Sequence, residues 1–252
     1  MTITSEEELE RLKAIGRICA TARDAMAAAL EPGMTTQDLD DIGRRILDDH
    51  GARSAPEVTY QFPGATCISV NEEVAHGIPG TRVVKAGDLV NIDVSAEKDG
   101  IFADTGASYI VPPVTRPQLA KLCRDGKRAM WEGIRAVKAG GRLSDIGTAI
   151  GKFAGTNGYT LIRNLASHGI GYGLHDEPGE IPTWPDRSER RRITDGLVFT
   201  VEPFLSMGGQ MAEEKSDDDP WTLIAVPCAP CVQYEHTVVA TPRGAVVVTL
   251  TA

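Results

Sequence analysis

The chain has 252 residues, 42% of them hydrophobic, and a formal net charge of −9. That apolar share can fill a sizeable core, and the acidic balance speaks against a protein that tracks nucleic-acid phosphates. No stretch approaches the ~20 apolar residues of a membrane span, the acidic start shows no leader pattern, and five cysteines without framework spacing point to reduced thiols in a cytoplasmic setting.

Thr4-Ser5 can cap a long helix running to about residue 30, with Ile15, Ile18, Ala22, Ala25 and Ala29 near helical spacing and Pro32-Gly33 at its end. Thr35 or Thr36 caps a second helix to about residue 49, stopped at Gly51. Residues 56–64 read as irregular, and a short strand follows at 67–70. The next stretch organises the chain. Asn91-Ile92-Asp93-Val94 and Phe102-Ala103-Asp104-Thr105 flank Lys98-Asp99-Gly100, and Asp-Gly between alternating apolar residues predicts a hairpin with a two-residue turn. In that register Lys98 pairs with Ile101, Asp93 faces Gly106, and Asp104 is the diagonal neighbour on the same face. Two acids so placed on a buried strand pair repel each other unless a cation lies between them. Further helices are predicted over 118–138 and, capped by Ser144, over 144–156. Strands are predicted at 197–205, containing Glu202, and at 222–226, 232–240 and 245–250. The acidic runs Glu6-Glu7-Glu8 and Glu213-Glu214-Lys215-Ser216-Asp217-Asp218-Asp219 read as solvated faces or loop, and Cys228-Ala229-Pro230-Cys231 as a turn.

The two halves repeat. At an offset of 107, Gly33 matches Gly140, Asp38 matches Asp145 and Gly51 matches Gly158; after a two-residue slip, Gly87 matches Gly196 and Asp93 matches Glu202. A single domain over 1–252, built from pseudo-repeats of about 8–112 and 115–250, follows, with Asp93 and Glu202 brought together at its centre. His76, His168, His175 and His236 lie beside acidic or Gly-rich motifs, whereas His50 stands alone on a helix. Asp93, Asp104, Glu202 and Glu235 sit in sparsely charged apolar strands, where unpaired burial would cost several kcal/mol each. One imidazole with four carboxylates describes an oxygen-rich dinuclear site for divalent first-row metals such as Mn, Fe, Co or Zn.

Asn91-Ile-Asp93-Val, Ala103-Asp104-Thr105, Ser167-His168-Gly-Ile-Gly, Phe199-Thr-Val-Glu202-Pro and Gln233-Tyr-Glu235-His-Thr resemble, in order and spacing, type I methionine aminopeptidases over about residues 10–245. The resemblance implies the pita-bread fold: an internally duplicated α/β (α+β) domain with a curved, mainly antiparallel sheet and helices packed outside. It implies two divalent metal ions, with Asp93 chelating one, Asp104 and Glu235 bridging both, and His168 and Glu202 completing the other shell. The native metal (Co, Mn, Fe or Zn) stays open. The implied activity removes the initiator methionine from nascent chains with a small second residue through a metal-bridging hydroxide. Glu202 is then a proton shuttle, His175 faces the oxyanion or scissile amide, and His76 faces the scissile nitrogen or the next residue's backbone.

Phe62, Cys67 and Trp221 fall at positions of the family's methionine pocket. Thr59 stands where tyrosine is common, leaving open whether Tyr60 takes its place; Leu174 replaces an aromatic, and Ala75 a frequent cysteine. The implied partners are nascent polypeptide N-termini near the ribosome, with no stable nucleic-acid binding, no membrane and a monomeric state. The chain is expected to lack the zinc-binding N-terminal extension of eukaryotic relatives. Alternatives within the fold are X-Pro aminopeptidase-like activity, whose members carry a further N-terminal domain that this length does not accommodate, and a catalytically inactive binding protein, whose mark is loss of a ligand; all five are present here.

Overall fold

Local capping sets the helices of the computed structural model, which describes residues 1–251. Ser5 accepts from the Glu8 N–H to start α1 (Glu6–Ala29), whose first turn sets Glu6, Glu7 and Glu8 against the positive end of the helix dipole. Thr35 and Asp38 form a reciprocal capping box at α2 (Thr36–Asp49). The stretch expected to be irregular contains a short helix, α3 (Ala55–Tyr60). Ser54 caps it through the Glu57 N–H, Pro56 fits its first turn, and Arg44 of α2 holds Glu57 at 2.6 Å. A helix this short completes no hydrophobic period, so the pattern carried no sign of it. α4 (Pro117–Ala136) and α5 (Leu143–Thr156) follow. The capping residue of α5 is Arg142 rather than the expected Ser144, because the Asp145 carboxylate reaches back to the Arg142 N–H at 2.9 Å.

The hairpin dominates the first half. Leu89–Lys98 and Ile101–Ile110 pair in the register read from the sequence, Lys98 opposite Ile101 and Asp93 opposite Gly106. The turn has Asp99 at φ 52° and Gly100 at φ 79°, the positive pair that follows the natural twist of the strands. Cys67–Val70 extends this sheet and sets Cys67 beside Asp93. Leu12, Ile15 and Cys19 of α1 and Leu39 of α2 share one core with Val90, Ile92 and Val94 of the hairpin. In the second half, Val198–Val201 lies between His236–Thr241 and Ser167–Gly169 in an antiparallel sheet. Met130 and Ile134 of α4 and Ile146 and Ile150 of α5 pack there with Phe199, Val201 and Val238. Matched glycines of the two halves share a left-handed backbone: Gly33 and Gly140 at φ 97° and 88°, Gly87 and Gly196 at 83° and 79°.

Two strands expected to be continuous break at their acids. Val198–Val201 stops before Glu202 and the chain resumes as Phe204–Ser206, because Pro203 between them has no N–H to offer a ladder. Cys231–Gln233 and His236–Thr241 are likewise separated by Tyr234 and Glu235. Conversely, the second acidic run forms a hairpin, Met211–Ser216 with Asp219–Val226, turning at Asp217 and Asp218. Its backbone is paired while Glu213 and Glu214 stay in water, so charge was no argument against a strand. Cys228 lies in the connection after this hairpin and Cys231 opens the strand Cys231–Gln233; both are free thiols. No described helix is long and apolar enough to cross a membrane.

Candidate active site

The halves join along the second hairpin strand. The Glu235 N–H donates to the Gly106 carbonyl at 2.8 Å. Thr237 Oγ1 accepts from the Asp104 N–H at 2.9 Å and donates to the Asp104 carbonyl at 2.8 Å. Asp104 and Glu235 are thereby set side by side. Glu202 arrives from the strand break, where its N–H, released from the ladder, donates to Ser167 Oγ at 2.9 Å. His168 comes from the adjacent strand Ser167–Gly169.

Asp104, His168 and Glu235 present ligand atoms that all lie within 4.8 Å of one another. Glu202 Oε1 is 3.4 Å from His168 Nε2, and Asp93 lines the same cavity as Asp104, His168 and Glu202. The five groups are thus contiguous. His168 Nδ1–H donates to the Gly169 carbonyl at 3.0 Å, which leaves Nε2 as a lone pair facing the acids. Burial, and then the neighbouring His175, pushes His168 down to about 3, so the imidazole is neutral, as a ligand must be. Asp104 Oδ1 and Glu235 Oε1 are buried without a hydrogen-bond partner among the described residues. Burial first, and then the neighbouring carboxylates, pushes Asp104, Glu202 and Glu235 well above the usual carboxylate range; burial also raises Asp93. Buried oxygens without partners, packed around an imidazole lone pair, fit a divalent first-row metal ion.

Residues 10–242 match the sequence profile of metallopeptidase family M24. This chain belongs to that family. Methionine aminopeptidase 2 of Bacillus subtilis is 45% identical to it over 250 residues, 99% of each chain. A methionine aminopeptidase of Staphylococcus epidermidis is 43% identical over 249 residues, 99% of this chain and 98% of the other. The crystal structure of methionine aminopeptidase from Rickettsia prowazekii superposes with a TM-score of 0.93 at 34% identity, covering 99% of this chain and 100% of that one. Prolidase from Pyrococcus furiosus shares the fold, with a TM-score of 0.76 at 20% identity, and this chain covers 66% of it. The M24 chain accordingly has the pita-bread fold, groups with the methionine aminopeptidases, and is a metal-dependent hydrolase.

In this M24 metallopeptidase the acids floor a cavity of about 380 Å³, in the range of small-ligand sites. Asp93, Asp104, His168, Glu202, His76, His175, Phe62, Cys67 and Trp221 line it, and Glu235 lies buried beneath. Every site residue read from the sequence is therefore gathered in one place. His76 is presented at φ 54°, just before Gly77, where a Cβ would lie 2.1 Å from the Ile68 carbonyl oxygen. Left-handed backbone at a non-glycine residue costs roughly 1–3 kcal/mol and persists where the surroundings enforce it. His76 lines the cavity with solvent access; desolvation, and then His175, pushes it down to about 4, and desolvation lowers His175 too. The Phe62 and Trp221 rings meet edge to face with centroids 5.4 Å apart, and Leu165, Leu174 and Phe204 extend this apolar wall. Burial, and then Asp93, raises the Cys67 thiol well above its ordinary range. Ala75 is buried and lies outside the lining, as does the exposed Thr59.

The support beneath the acids was missed in the sequence. Asn91 Nδ2 donates to Gln233 Oε1 at 2.9 Å, and Gln233 Nε2 donates to Glu235 Oε2 at 2.9 Å. Thr200 Oγ1 donates to Glu202 Oε1 at 2.8 Å. Thr200 and Gln233 each stand two residues before the acid they support, and Asn91 two before Asp93; that spacing keeps strand residues on one face and was the available signal. Gly106 makes room for Gln233, since a Cβ there would lie 2.1 Å from Gln233 Oε1. Gly106→Ala is expected to cost about 1–3 kcal/mol of stability through crowding and to weaken metal binding roughly 10–100-fold by displacing Gln233. Metal titration checks this; unchanged affinity would remove Gln233 from the support of Glu235.

Proposed function

We propose that this chain removes the N-terminal methionine from polypeptides with a small second residue, using two divalent metal ions drawn from Mn, Fe, Co and Zn. The observation that carries this reading is the pair of partnerless buried oxygens, Asp104 Oδ1 and Glu235 Oε1, on residues clustered with His168 at the floor of a largely apolar cavity. Asp93 would hold one ion, Asp104 and Glu235 both, and His168 with Glu202 the other. When bound, such ions activate water near neutral pH and polarise a carbonyl.

The chain's own residues supply the rest. Glu202 Oε1 is oriented by the Thr200 hydroxyl beside the cavity, which suits the carboxylate to take and return a proton during hydrolysis. His175, neutral and beside His168 with ring centroids 4.3 Å apart, is placed to donate to the oxygen on which charge develops. His76, held by its left-handed backbone, faces the leaving nitrogen or the following peptide. Phe62, Trp221 and Cys67 offer an apolar, polarisable slot that suits a thioether. Action as a cytoplasmic monomer on nascent N-termini belongs to the same proposal and agrees with five free cysteines.

Chelator-stripped protein reloaded separately with each metal, and offered Met-Ala-Ser, Leu-Ala-Ser and Met-Pro-type peptides, tests the reading. Metal-dependent release of methionine from the first with little leucine release is expected. Equal release of leucine would overturn the narrow specificity, and no hydrolysis with any bound metal would overturn the activity.

A further inference from the structure

We propose that Tyr60 is the positioning residue for His175: its hydroxyl donates to His175 Nδ1 and so turns an Nε2–H toward the cavity. This rests on the reading of His175 as the donor to the oxyanion. Tyr60 ends α3 at the cavity rim and reaches a loop of the other half, the two rings 5.6 Å apart between centroids and tilted by 41°, with the hydroxyl on Nδ1. Among the described residues, this is the sole hydrogen bond made by the His175 ring. The neighbouring His168 ring restrains the plane of His175 edge-on, but does not decide which nitrogen bears the proton.

A phenol can decide it. Enclosure raises the Tyr60 hydroxyl above its ordinary range, which keeps it protonated and able to donate. A neutral imidazole that accepts at Nδ1 carries its hydrogen on Nε2. The other tautomer would turn a lone pair toward developing negative charge and oppose it. Tyr60 is itself anchored: Gln61 ends α3 in the left-handed region at φ 58°, and the Arg44–Glu57 pair ties α3 to α2.

Tyr60→Phe keeps the ring and removes only the hydroxyl. In the metal-loaded enzyme, kcat on Met-Ala-Ser is expected to fall about tenfold, the scale of one hydrogen bond, with a smaller change in KM. Tyr60→Phe added to His175→Ala is expected to cause no further loss. Nitrogen-15 spectra of the zinc-loaded protein are expected to show an unprotonated Nδ1 at His175, replaced by mixed tautomers in Tyr60→Phe. Unimpaired Tyr60→Phe beside a slow His175→Ala, an additional large loss in the double variant, or a protonated Nδ1 in the unaltered protein each overturns the proposal and leaves His175 in the mechanism. Full turnover by His175→Ala overturns the underlying reading, and the proposal with it.

Discussion

Alanine at Asp104 or at Glu235 is expected to abolish peptide hydrolysis and to unload metal. The expected loss in kcat is about a thousandfold or more, because metal activation is worth several kcal/mol in the transition state. Each side chain places one oxygen in the buried centre that has no hydrogen-bond partner among the described residues. Without a cation, burial and the facing acids push both toward protonation, and only Glu235 has a side-chain donor, Gln233, on its other oxygen. Removing one carboxylate therefore relieves the metal-free protein of repulsion rather than breaking an interaction on which folding depends. The variants should remain folded, and their melting temperatures should no longer respond to added metal, whereas that of the unaltered protein rises with metal by mass action. Metal content by elemental analysis, paired with melting curves, separates loss of the ion from loss of the fold. Full activity or normal metal content in either variant would refute the bridging role.

The second large effect is expected at His175, and it should look different. His175→Ala is expected to retain its metal and lower kcat by roughly 100-fold, as for loss of a single oxyanion donor, with KM little changed. The ring lies against His168, yet its Nδ1 is engaged by Tyr60, so it is a neighbour of the ligands rather than one of them. Enclosure keeps it neutral, which suits donation without loss of a proton. Loss of metal in this variant would make His175 a structural prop of the centre; undiminished turnover would take it out of the mechanism.

The parts of this site that were readable in the sequence share one property: they are local. Asp99-Gly100 names its own turn, and the turn fixes the pairing of every residue back to Asp93. Gly33 and Gly140 mark equivalent bends because the same positive φ recurs in both halves. Sparse charge in apolar segments was enough to single out Asp93, Asp104, Glu202 and Glu235. What escaped was settled over distance. Composition cannot show that the ladder ends at Val201 and frees the Glu202 N–H for Ser167, although Pro203 hinted at it. The role of Tyr60 depends on His175, 115 residues away, and the fit of Gln233 depends on a missing Cβ at Gly106. The acidic hairpin at Met211–Ser216 misled for another reason: an exposed strand satisfies its backbone in the ladder and leaves its side chains in water, so solvation and strand pairing do not compete.

Crystals of the manganese-loaded protein, measured for anomalous scattering at the metal's absorption edge, would test the dinuclear assignment directly. Two peaks about 3.5–4 Å apart, with the Asp104 and Glu235 carboxylates between them and His168 on one side, are the expected result. A single peak at full occupancy of added metal, or two peaks that share neither carboxylate, would contradict it.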